Sequence, residues 1–378
     1  MARARMGFVG YVRWIPAPGG QQSPNNAIVI RATSADVKLT QEISYPDVID
    51  SKIDQTVYEL GPQVVGGNIA FPLIHEIANA GTETSGFPCG NANSTSGSLA
   101  QTLWSFAAKR DIYGRMDPSS VFDCVVRYAD NLGYTYKGCM VNTMTFTLSK
   151  SEPVNVSCEV IGGAGNPVKL REDLVAGTGG FSSGNSDALS LLAPARIVTW
   201  NDVGVGVWGG TDTTQQLVRA GEVTEFTCTI NNNIERIYSL NGKLSPVDIV
   251  AKKREVSGNL KFLGGQYDLS QYTIANQTRF TSNAGIAFGY RLGADVASYY
   301  WATGLYGVIF EIEEVGLTNG LFESSTKWRA LGDCDNNHLA IKLGDTLNGD
   351  LVRPTSSNYG SSSAPDYPTF DTYGTTNP

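Results

Sequence analysis

Val223 to Leu263 reads VTEFTCTINNNIERIYSLNGKLSPVDIVAKKREVSGNLKFL, and its two ends decide the fold. At one end Phe226, Cys228 and Ile230 alternate with Thr227 and Thr229. At the other, Val256, Leu260 and Phe262 alternate with Ser257, Asn259 and Lys261, and Gly258 falls on the apolar face. Successive side chains of a strand point to opposite faces, so a period of two marks a strand with one buried and one wet face. The same alternation recurs upstream. Val37, Leu39 and Gln41 oppose Lys38, Thr40 and Glu42. Met144, Phe146 and Leu148 oppose Thr145 and Thr147. After a turn at Ser151-Glu152-Pro153 follow Val154, Val156, Cys158 and Val160. The last two segments predict a hairpin over about residues 140–162.

Composition agrees with a strand-and-turn protein. The 378 residues are 41% hydrophobic, enough for a real core, but only 17% charged, below the quarter usual for soluble chains. Few charges with abundant Gly, Ser, Thr and Asn suit strands, tight turns and surfaces covered by neighbouring subunits. The net charge of −8 argues against a protein that grips nucleic acid, which needs a surplus of Lys and Arg to neutralise phosphates. No apolar stretch follows the opening MARARMG, so no secretory signal is expected. No apolar run reaches the length of a membrane-spanning helix. The six cysteines, Cys89, Cys124, Cys139, Cys158, Cys228 and Cys334, contain no CxxC pair, which weighs against a zinc ribbon or thioredoxin motif. Cys158 and Cys228 lie on the apolar side of alternating segments and read as free buried thiols.

Along the chain, Ser98 to Lys109 (SLAQTLWSFAAK) is the best helix, with Leu99, Leu103 and Phe106 on one face. Gly/Ser-rich stretches at 80–97 and 177–185 punctuate the strands. Val64-Val65-Gly66-Gly67-Asn68-Ile69-Ala70-Phe71 echoes Glu255-Val256-Ser257-Gly258-Asn259-Leu260-Lys261-Phe262, each about thirty residues after the start of an alternating strand. This echo predicts two copies of one β unit, at 1–175 and 186–352. A Ser/Gly/Thr-rich tail at 353–378 is expected to be an extended arm held by a neighbouring subunit.

The Val223–Leu263 segment also resembles the signature region of bacteriophage tail tube proteins. The shared pattern is the Asn231–Asn233 run, Tyr238-Ser239-Leu240, Pro246-Val247-Asp248-Ile249, and Arg254-Glu255-Val256-Ser257-Gly258-Asn259-Leu260. Two further segments are similar: Tyr136-Lys137-Gly138-Cys139-Met140-Val141-Asn142, and Lys327-Trp328-Arg329-Ala330. The resemblance implies a mainly β fold of tail-tube type, a sandwich or half-barrel with one flanking helix, closing with other copies into a multi-subunit β-barrel ring. It implies rings of three copies if the unit is duplicated and of six otherwise, stacked head to tail in the virion tail. The expected partners are the chain itself, a tail sheath, a tail terminator and baseplate proteins, with double-stranded DNA passing without being held and with no membrane. The protein would be made in the cytoplasm of a bacterial host.

On this reading Lys38, Thr40, Glu42, Thr227 and Thr229 are candidates to face the lumen. Asp47, Asp50, Pro246, Asp248, Lys252 and Lys253, in the long loops after the first strand of each half, are candidates for ring contacts. No cofactor or metal is expected and no catalysis. There are two histidines, His75 and His338. Gly180-Phe181-Ser182-Ser183-Gly184 spells a nucleophile elbow, but Gly177-Thr178-Gly179 is a poor strand to precede one. Asp333 to His338 has metal-ligand types at close spacing but lacks the loop pattern of an EF-hand. Glu313 and Glu314 are adjacent, so on a strand they cannot flank one glycosidic bond. The rival readings are another β-rich virion component (a baseplate ring, tail terminator or capsid decoration protein) and an enzyme or carbohydrate-binding sandwich.

Overall fold

The computed structural model describes residues 12–16, 28–30, 32–45, 58–76, 103, 106–107, 121–129, 132–162, 168–170, 195–208, 218–219, 222–240, 243–263, 285–290, 301–306, 308–311, 314–318, 321–330 and 341–344. Among them the chain is almost wholly β. The first half runs through β1 (Val12–Pro16), β2 (Ile28–Ile30), β3 (Ser34–Ala35), β4 (Lys38–Ser44), β5 (Glu59–Pro72), β6 (Ile74–Glu76), β7 (Phe122–Ala129), β8 (Leu132–Ser149), β9 (Asn155–Gly162) and β10 (Val168–Leu170). The second half runs through β11 (Ala195–Ile197), β12 (Val203–Trp208), β13 (Val218–Arg219), β14 (Glu222–Asn231), β15 (Ile234–Ile237), β16 (Asp248–Ala251), β17 (Glu255–Leu263), β18 (Gly285–Tyr290), β19 (Trp301–Tyr306), β20 (Val308–Phe310), β21 (Glu314–Thr318), β22 (Leu321–Ala330) and β23 (Ile341–Gly344). All the pairings are antiparallel.

One sheet crosses both halves. Its central path is β4-β5-β9-β8-β14-β17-β22, with β20 and β21 sharing the far edge of β22. The predicted 140–162 hairpin is β8 and β9, paired Met144↔Cys158 and Phe146↔Val156. β8 has 18 residues and pairs twice over. Its first part meets β7 and β10, and its second part meets β9 and β14. Between these parts Gly138 has φ of 61°, a left-handed conformation that glycine adopts at no steric cost, and the register shifts between Val141 and Thr143. These are the devices by which a strand bends from one sheet layer toward another.

The buried face of this sheet packs on a second sheet, ordered β13-β12-β18-β19-β23. Phe288 of β18 meets Phe146 at 5.9 Å and Phe226 at 5.0 Å, and Phe226 stacks on Trp328 at 5.8 Å. Cys228, Ile230, Leu260, Ile286, Leu305 and Phe310 join the same core. Leu103, Phe106 and Ala107, within the predicted Ser98–Lys109 helix, are helical and buried, and Phe106 meets Phe122 edge-on at 5.3 Å. The rest of that helix, the Gly177–Asn185 seam and the 353–378 tail lie outside the described residues.

The two halves of the sheet share more than strand order. In each, four strands in chain order stand as first, second, fourth, third: β4-β5-β9-β8, then β14-β17-β22 with β20/β21. Val37, immediately before β4, and Cys228, within β14, hold matching positions, and both are fully buried. Gly67 and Gly258 occupy the same place in the second strand. A Cβ on Gly67 would sit 2.6 Å from the Asp36 carbonyl oxygen, and one on Gly258 only 1.9 Å from that of Thr227. Only glycine permits so close an approach of two backbones. The following residue repeats the likeness: the Asn68 amide donates to Asp36 Oδ1, and the Asn259 amide donates to Thr227 Oγ1. The third strands match too. From Val141↔Val160 to Thr145↔Ser157, and from Phe310↔Trp328 to Glu314↔Ser325, the third strand spends one residue more than its partner.

Candidate functional site

The face of the sheet turned away from the core is polar from strand to strand. One row of register partners runs Ser157, Thr145, Thr229, Ser257, Arg329, and the next runs Asn155, Thr147, Thr227, Asn259, Lys327. Between them lies the apolar row Val156, Phe146, Cys228, Gly258, Trp328, which points into the core. The period-two alternation read in each strand thus becomes one continuous wet surface, because antiparallel register aligns like parities side by side.

This surface holds its own polar groups. Thr145 Oγ1 and Thr229 Oγ1 share a hydrogen bond of 3.0 Å across the β8–β14 joint. Glu159 accepts from Asn142 Nδ2 at 2.6 Å and Thr143 Oγ1 at 3.2 Å. Lys261 pairs with Glu323 at 3.1 Å and Arg329 with Glu255 at 3.4 Å. Hydroxyls, amides and paired charges make a hydrated surface without a stripe of uncompensated cations, so it has little to anchor a phosphate backbone. Of the sequence candidates, Thr227 and Thr229 are half-buried on this face, and Lys38, Thr40 and Glu42 are exposed on β4.

Above the first half of this face lies an element the sequence reading treated as a loop, the β15–β16 hairpin. Its launch explains the Asn231–Asn233 run. Asn232 is fully buried, and its Nδ2 donates to the carbonyls of Ala107 and Val141, each at 2.9 Å. Asn233 takes a left-handed φ of 48°, which asparagine tolerates, and its Nδ2 donates to the Lys253 carbonyl at 2.8 Å. The hairpin then lies down. Ile249, Ile234 and Ala251 pack on Met140 and Ile161. Arg236 Nη2 donates to the Val65 carbonyl at 2.8 Å, and the Gln63 amide to the Leu244 carbonyl at 2.8 Å.

The contact candidates in this segment have distinct roles. Pro246 is buried within its own chain, whereas its neighbour Val247 is 57% exposed. Asp248 is exposed and accepts from the Ile249 amide. Lys252 pairs with Glu235, and Lys253 is exposed. Asp47 and Asp50 lie outside the described residues. So do His338, the Gly180–Gly184 stretch and the Asp333–His338 cluster.

Sequence reasoning missed the apolar residues flanking the first long loop. Ile43, Tyr45, Tyr58 and Leu60 are 48%, 57%, 64% and 42% exposed. The usable signal was their apolar character beside acidic loop residues. Among the described residues no group of three or more His, Cys, Asp or Glu could hold a metal ion, and no helix is long and apolar enough to cross a membrane.

A mainly antiparallel β-sandwich, with a hydroxyl-rich face and edge strands that among the described residues pair on one side only, suits a structural assembly subunit. The chain matches the phage tail tube protein family over residues 12–299 and belongs to that family. No curated protein matches it. It is therefore a structural virion protein of the phage tail, which assembles with itself into a tube and associates with other tail components.

Proposed function

We propose that three copies of this chain close into one ring, that each chain contributes two repeats of one β unit, at about 1–175 and 186–352, and that stacked rings form the conduit through which DNA leaves the particle. The observation that carries the reading is the repeated first-second-fourth-third strand order, matched residue by residue through Gly67 and Gly258. A sheet built of repeats joined third strand to first has no internal reason to stop, and closure into a barrel removes the edges that would otherwise pair at random.

In this ring the polar rows around Thr145, Thr227 and Thr229, with Lys38, Thr40 and Glu42, line the channel. The net charge of −8 opposes adhesion of DNA, so passage depends on repulsion and hydration and requires no bond chemistry. Rings stack head to tail, an arrangement open at both ends, so other tail proteins set the length. Ile237, Tyr238, Leu240 and Val247, exposed toward the tip of the 234–251 hairpin, supply apolar area for stacking. Asp248, Lys252, Lys253, Asp47 and Asp50 supply charges around it, and the 353–378 arm reaches a neighbouring subunit. Electron microscopy of the concentrated pure protein tests the reading. Tubes of even bore are expected; a species that stays monomeric at every concentration would overturn it.

A further inference from the structure

The chain contains a worked example of a joint between repeats, the pairing of β8 with β14. Its register is Ser149↔Glu225, Thr147↔Thr227, Phe146↔Cys228 and Thr145↔Thr229. The correspondence that carries Val37 to Cys228 and Gly67 to Gly258 also carries Lys38 to Thr229. The one that carries Val141 to Phe310 and Val160 to Trp328 carries Thr145, across the shared extra residue, to Glu314. Among the described residues β4 pairs only with β5, and β21 only with β22. These two edges are the first strand of one repeat and the third strand of the other, the same kinds of edge that meet in the β8–β14 joint.

The long loops correspond as well, with no residue gained or lost between the first and second strands. Ile43↔Leu60 in the first half takes the place of Ile234↔Ala251 in the second, and Tyr58 takes that of Ile249. Ile234, Ile249 and Ala251 lie on Met140 and Ile161 of the preceding repeat. Among the described residues Ile43, Tyr58 and Leu60 have nothing comparable beneath them, and they are 48%, 64% and 42% exposed. They form a landing surface whose ground is missing from the described residues of the single chain.

We infer that a second copy of this chain supplies that ground: β4 of one copy pairs antiparallel with β21 of the next, in the register that sets Lys38 opposite Glu314, and Ile43, Tyr58 and Leu60 settle on Ile309 and Arg329 of that copy. This rests on the ring reading above and fixes its joint. Ile309 and Arg329 are register partners, as Met140 and Ile161 are. The flat guanidinium of Arg329 suits a tyrosine ring. Charge agrees with the register. Where the internal joint holds two threonines, the joint between copies brings together a lysine and a glutamate, an opposite-charge cross-strand pair. Asp36 falls opposite Gly316 and Val37 opposite Val315, so no like charges meet at these positions.

The test is a charge exchange in the full-length chain, read by sedimentation and electron microscopy. Lys38→Glu and Glu314→Lys each place like charges opposite one another, and each is expected to reduce the assembled fraction about tenfold or more. The doubly exchanged K38E/E314K protein is expected to assemble as the original does. Tyr58→Ser, at an exposed position, is expected to block assembly while the circular dichroism and melting of the monomer stay unchanged. Single variants that assemble like the original, or a double variant that fails to recover while remaining folded, would overturn this register and leave the tube itself standing. An unaltered protein that never assembles would overturn both.

Discussion

Two segments of equal length stand at matching places in the strand order, and their described residues meet different fates. The one from Ile234 to Ala251 finds Met140 and Ile161 of its own chain and buries Ile249 to 8% exposure. In the other, Ile43, Tyr58 and Leu60 find no such ground among the described residues, and Tyr58 stays 64% exposed. The two do not differ in lacking apolar residues. On the two-repeat reading proposed above, they differ in whether a repeat precedes them in the chain. On that reading, exposed apolar residues that copy a packed set elsewhere in the molecule mark an interface, whereas single exposed ones are ordinary.

The largest effect that sharpens the comparison lies in the fourth strands. Trp328 and Val160 hold the same register position, both buried, and Trp328 stacks on Phe226. Trp328→Ala should cost about 3–5 kcal/mol in urea unfolding, and Val160→Ala much less, in proportion to the smaller volume removed. Next comes the glycine pair. Gly258→Ala should cost about 3 kcal/mol, because the new methyl meets the Thr227 carbonyl oxygen at 1.9 Å, and Gly67→Ala about as much, because its methyl meets the Asp36 carbonyl oxygen at 2.6 Å on a backbone whose φ of 157° disfavours any side chain. Third, Ile249→Ser should cost about 2 kcal/mol by undoing the docked hairpin, whereas Tyr58→Ser should stay within about 0.5 kcal/mol in the monomer.

The smallest effect concerns the thiols. Cys124, Cys139, Cys158 and Cys228 are buried thiols outside any disulfide. Burial pushes the Cys139 thiol from 9.0 up to about 12, and raises those of Cys158 and Cys228. A thiol whose folded pKa lies above its unfolded value stabilises the fold below the unfolded pKa, and loses that contribution as pH rises toward the folded one. Stability should therefore fall above about pH 9, where thiols of the unfolded chain ionise first. Labelling of these four by a thiol reagent near neutral pH should require unfolding.

Much of this was legible because period-two alternation is a local property. Phe226-Cys228-Ile230 and Met144-Phe146-Leu148 announced their strands, and the two Gly-Asn-apolar-x-Phe stretches marked Gly67 and Gly258, where a close backbone approach tolerates no side chain. The β15–β16 hairpin was not legible. Its four-residue strands are too short for a pattern, and they are held by Asn232, Arg236 and Gln63 reaching distant backbone. The exposure of Ile43, Tyr58 and Leu60 was hidden for the same reason: what covers an apolar residue is decided by segments far away in sequence. Pro246, picked for its place in a loop, is buried by the fold of that loop.

The most direct test of the central claim is the rotational symmetry of an assembled tube seen end-on, together with its mass per ring. Two repeats per chain predict three chains in each ring and an outline that looks six-fold but repeats exactly only every third of a turn. Six chains per ring related by true six-fold symmetry would contradict the account.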